Sequence, residues 1–83
     1  MCRNITPLRG LEPPATEIEV RAAALQYVRK VGAIAKPSAV TEAAIAHAVD
    51  RISVATMELL AELPPRARPP AVDPPLRRIA ARG

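Results

Sequence analysis

The sequence holds one cysteine, one histidine and one aromatic residue, and each scarcity removes a class of protein. The single thiol, Cys2, excludes an internal disulfide. With His47 as the sole imidazole, the soft ligands fall short of a tetrahedral zinc set, and neither a metal nor a cofactor is expected. Tyr27 stands alone without Trp or Phe, so the core must be built from aliphatic residues and alanine, a composition that suits helices. Glycine is too sparse for a loop that cradles phosphates. No apolar run approaches the ~18 residues of a membrane span, and residues 1–30 lack the basic-then-apolar order of a signal peptide. The expectation is a cytoplasmic protein in a reducing setting, with no membrane contact.

What is present fits one small domain and a tail. At 83 residues a single-chain core is marginal, and a second subunit is the natural supplement where disulfides and metals are missing. The net charge of +4 is unevenly placed. Residues 1–63 carry equal numbers of basic and acidic groups, whereas residues 64–83 set five arginines against Asp73. We therefore divide the chain into a helical hairpin domain with an N-terminal strap, 1–63, and a basic, proline-rich tail, 64–83, expected to be partly disordered.

From Thr41 to Leu63 apolar residues recur at alternating spacings of four and three: Ile45, Val49, Ile52, Leu59 and Leu63, with Thr56 in the one non-aliphatic slot. That predicts a helix over about 42–63, capped by Thr41 and opened by Glu42. An earlier helix over about 17–31 has a capping box in Thr16 and Glu19. Its stripe is Val20, Ala24, Val28 and Val31 with Leu25 beside them, and Gly32 is its stop. The predicted class is all-α, an antiparallel hairpin. Ahead of it runs a leader anchored by Ile5 and Leu8, then an extended Glu12-Pro13-Pro14 segment. Behind it the doublets Pro64-Pro65, Pro69-Pro70 and Pro74-Pro75 favour an extended path. A short terminal helix fits the end, with Asp73 as N-cap, Pro74 first, and Leu76, Ile79 and Ala80 on one side, provided that it docks on the hairpin.

The opening Met1-Cys2-Arg3-Asn4-Ile5, then Glu12-Pro13-Pro14-Ala15-Thr16, Ala23-Ala24-Leu25-Gln26-Tyr27-Val28-Arg29-Lys30 and Lys36-Pro37-Ser38, resembles an uncharacterised family of short bacterial proteins that begin Met-Cys-Arg-Asn-Ile. The likeness covers roughly residues 1–63, and the proline-rich ending looks like that of actinobacterial members. It implies a small cytoplasmic helical protein and brings no catalytic residue with it. Some relatives are labelled as transcriptional regulators of a small heat-shock protein, which implies a regulatory role.

Candidate chemistry is confined to two places. Cys2 would become an N-terminal cysteine on removal of Met1, and Arg3 beside it would lower the thiol pKa. Cys2, Arg3 and Asn4 therefore form a candidate thiol site, set against the plainer readings of a small buried cysteine and of Arg3 and Asn4 tying the leader to helix-end carbonyls near Gly32. In the tail, Arg66, Arg68, Arg77, Arg78 and Arg82 are candidates for phosphates or for a protein partner, against a simple solubilising tail. With no interleaved aromatic, such nucleic-acid binding would be weak and nonspecific. His47, Asp50 and Arg51 read as a solvated face, and Arg21, Arg29 and Lys30 as snorkelling cations. The predicted function is a non-enzymatic interaction or regulatory protein, linked to transcription, acting as a helical homodimer. The alternative is a thiol-dependent redox sensor or small enzyme using Cys2.

Overall fold

The computed structural model describes residues 4–64 and 74–77. Two helices, α1 (Glu17–Val31) and α2 (Ala39–Glu62), pack against each other as an all-α hairpin. The start of α1 is the capping box expected from its sequence. The Thr16 hydroxyl accepts from the Glu19 N–H at 3.2 Å, and the Glu19 carboxylate accepts from the Thr16 N–H at 2.8 Å. Glu17 and Glu19 meet the positive end of the helix dipole, and Arg29 and Lys30 its negative end.

The helix stops in a Schellman motif shifted by one residue from the expected glycine. The Ile34 N–H reaches back to the Arg29 carbonyl at 2.9 Å and the Ala33 N–H to that of Lys30 at 3.2 Å. Gly32 is the C-cap with right-handed dihedrals, and the left-handed residue is Ala33, at φ 54°. Gly32 is small for a different reason: a Cβ there would lie 3.0 Å from Ile34 Cδ1 and 3.1 Å from the Val28 carbonyl oxygen.

The second helix begins at Ala39 rather than at 42. Ser38 is its N-cap and Thr41 sits three residues inside, the two exchanging the bonds of a capping box in which threonine takes the usual place of glutamate. Pro37 holds the chain outside the helix up to that point. At the far end Leu63 leaves the helical region at ψ 144°, because Pro64 pushes its predecessor into an extended conformation.

The core is Leu11, Val20, Ala24, Ile45 and Val49, with Val28, Ile34 and Ile52 packed against its centre. Two expected seam residues lie elsewhere: Leu59 is 52% exposed and Val31 69%. A straight helix turns once every ~3.6 residues, so a strict four-three repeat drifts off the buried side unless the helix supercoils. The inward line accordingly runs from the buried Ile45, Val49 and Ser53 to the half-buried Thr56, Leu60 and Leu63. The leader also differs from expectation. Leu11 is its buried anchor, Leu8 is half-buried, Ile5 is exposed, and the Glu12-Pro13-Pro14 segment bends at a cis Glu12–Pro13 bond. At the other end Pro75 to Arg77 are helical and follow a buried Pro74, while the expected cap Asp73 and the apolar Ile79 and Ala80 lie outside the described residues.

Candidate functional site

Three features on this scaffold bear on function: the leader, the C-terminal strap and the two grooves between the helices. The Asn4 N–H donates to Gln26 Oε1 at 2.6 Å and fixes the leader to the middle of α1. Past Gly32, Arg29 Nε donates to the Ile34 oxygen at 3.2 Å and its Nη2 donates to that of Ala35. Asn4, Gln26, Arg29 and Lys30 share a cavity of about 590 Å³ with Leu25 and Ile34. Cys2 and Arg3 lie outside the described residues, so the expected thiol site is represented by Asn4 alone. At the other end of the hairpin, Arg9 donates to the Pro64 carbonyl at 2.8 Å and secures the exit of α2.

Of the five tail arginines, Arg77 is described and Arg66, Arg68, Arg78 and Arg82 are not. The Arg77 guanidinium is engaged within the chain. Its Nε meets Glu19 Oε2 at 2.6 Å, and its Nη2 donates to Glu19 Oε1 at 3.0 Å and to the Pro14 carbonyl at 2.9 Å. This planar fork against a carboxylate is the geometry that arginine makes and lysine cannot. Burial pushes the Glu19 carboxyl up, but the bond from Arg77, the backbone bond from Thr16 and the Arg77 charge together outweigh it and hold the group below the ordinary glutamate range.

The groove on one side of the helix pair, about 530 Å³, is lined by Ile18, Leu25, Ile45 and Val49, and Leu76 of the strap sits in its wall. The other groove, about 420 Å³, is lined by Tyr27, Val31, Val40, Ala44, Ala48 and Ile52 among others, and Tyr27 is the one ionisable residue on it. Beside it, Ile5 and Leu8 of the leader line a cavity of about 280 Å³ with Ile52, Thr56 and Leu60.

His47, Asp50 and Arg51 are exposed, with Asp50 pairing to Arg21 across the helices at 2.7 Å. Both partners are well solvated, so the pair adds little. Among the described residues no three His, Cys, Asp or Glu side chains come together as a metal site, and no helix is long and apolar enough to cross a membrane.

Sequence reasoning missed the Glu19–Arg77 pair because no local pattern links residues 58 apart, and Glu19 already had a full explanation in its cap. It missed Leu11 because a lone leucine between Gly10 and Glu12 has no period to betray it.

No curated protein and no solved structure matches the chain. A family model does match, and it spans the leader, the hairpin and nearly all of the tail: the chain belongs to the uncharacterized conserved protein family DUF2277, over residues 1–82.

Proposed function

We propose that this chain is a non-enzymatic interaction protein of the bacterial cytoplasm, working as a helical homodimer in a regulatory role linked to transcription. The observation that supports it is the uncovered groove of Tyr27, Val31, Val40, Ala44, Ala48 and Ile52. Val40 is 88% exposed and Val31 69%, while the buried apolar core amounts to Leu11, Val20, Ala24, Ile45 and Val49. A chain this short gains stability by covering such a face, and a groove without charge is suited to lasting contact rather than to steering a charged substrate. The basic tail adds a weak, sequence-indifferent attraction to nucleic acid, which brings a regulatory dimer to its site of action without reading a sequence.

Sedimentation at micromolar concentration tests the reading. A dimer is expected, and an 8.8 kDa monomer of full helicity would exclude it.

A further inference from the structure

We propose that two copies pair antiparallel along α2, about a two-fold axis at Ala48. The inference rests on the dimer reading above and adds which face meets which. On α2, Val40, Ala44, Ala48, Ile52, Ala55 and Leu59 share one side at helical spacing, next to the inward line. Ala44, Ala48 and Ala55 are its smallest residues, and the neighbouring pair Ala44 and Ala48 allows the closest approach of two helices. With the axis at Ala48, each Ile52 faces the other copy's Ala44, large against small, and each Leu59 faces the other copy's Pro37. A two-fold interface must be self-complementary in this way, because the same patch is used on both sides.

Charge selects the antiparallel order. Glu58 and Glu62 occupy the C-terminal end of α2, which carries no basic residue in its last turn. There the helix dipole disfavours them, and among the described residues no cation pairs with either. Lys36, exposed and just before the N-cap Ser38, is the opposite case: a cation close to the positive end of the same helix. Counting from Ala48, Glu58 and Ser38 each lie ten residues away, about 15 Å along the axis. An antiparallel pair therefore sets Glu58 and Glu62 of each copy against Lys36 of the other, and both locally unfavourable placements are relieved together. A parallel pair would set the two acidic ends side by side.

Two experiments on the full chain separate this geometry from dimerisation itself. In a Cys2→Ser background, Ala48→Cys is expected to cross-link between copies on exposure to oxidised glutathione, since residues on a two-fold axis meet their own image. Ala46→Cys, exposed on the opposite groove and only two residues from Ala48, is expected to stay reduced. Faster cross-linking of Ala46→Cys would overturn the proposed face while leaving the dimer intact. For the charges, Lys36→Glu and the double variant Glu58→Lys/Glu62→Lys are each expected to weaken self-association about tenfold, and an equimolar mixture to recover it as a heterodimer. Unchanged self-association in both variants would overturn the antiparallel order. A wild-type chain that sediments as a monomer would instead remove the dimer reading and this inference with it.

Discussion

Glu19 and Arg77 stand 58 residues apart and meet in a two-pronged ion pair, with 5% and 18% of their side chains exposed. The same carboxylate closes the capping box of α1, so one side chain both starts the helix and holds the strap. Arg77→Ala removes the only cation described against a buried carboxylate. The expected loss is about 2 kcal/mol, toward the low end for a broken buried pair because lifting the strap lets water reach Glu19. Thermal or urea unfolding measures it, and an unchanged midpoint would mean that the strap contributes nothing.

The pair also sets an acid dependence. Because the folded state holds the Glu19 pKa below its unfolded value, its stabilisation is present above the ordinary glutamate pKa and is lost as pH falls through the lowered value. Glu19→Gln keeps an acceptor for the Thr16 N–H but cannot bear the charge. Its stability deficit against the parent is expected to be full at neutral pH and to shrink toward zero well below pH ~4. Urea unfolding of both proteins across that range checks the sign. A deficit that grows on acidification would contradict it.

Ile52→Asp is expected to abolish cooperative folding, whereas Arg51→Ala is expected to change stability by less than about 0.5 kcal/mol. Ile52 packs against the cluster of Ala24, Ile45 and Val49, while Arg51 is exposed. Circular dichroism with denaturant reads both, and equal loss of helicity would mean that the helical phase is misplaced.

The starts of the two helices show how much was legible in the residues and how much was not. Thr16 and Glu19 carry a complete local signal, and the helix starts where they place it. Ser38 and Thr41 carry an equally good one, but Glu42 beside Thr41 offered a rival start, and the two differ only in which hydroxyl turns toward the backbone. The apolar period identified α2 as a helix. It could not choose between Leu59 and Leu60, because that choice depends on helix straightness and on where Leu8 packs. The hairpin, and a short C-terminal helix that docks on it through Leu76, were thus readable from short-range chemistry. The contacts of Arg77 with Glu19 and Pro14 were not, since they are made only after the chain has folded back.

Ala33→Gly is expected to stabilise the fold by about 0.5–1 kcal/mol, since alanine at φ 54° bears a steric cost that glycine escapes. Gly32→Ala is expected to lose about 1 kcal/mol through the crowding of Ile34 and the Val28 carbonyl. Opposite signs at adjacent positions in one unfolding series test the cap assignment.

For the tail, the full chain is expected to retard DNA without sequence preference at ~50 mM salt and to release it by ~200 mM. Changing Arg66, Arg68, Arg78 and Arg82 to Ala together should abolish the retardation. These four are the sounder set because Arg77 already serves Glu19, and altering it would confound binding with stability. Selective retention of one DNA sequence at the higher salt would locate the binding on the helices instead.

The strap also constrains how the protein is made. Synthesis runs from the N-terminus, so Glu19 leaves the ribosome 58 residues ahead of the arginine that completes its surroundings. Through that interval α1 has its capping box but a carboxylate without its arginine, and the groove of Ile18 and Leu25 lacks Leu76. The emerging hairpin therefore waits for its last stretch to be covered, and a premature stop in the tail ahead of Arg77 leaves a product with its acidic start uncovered rather than merely a shorter protein.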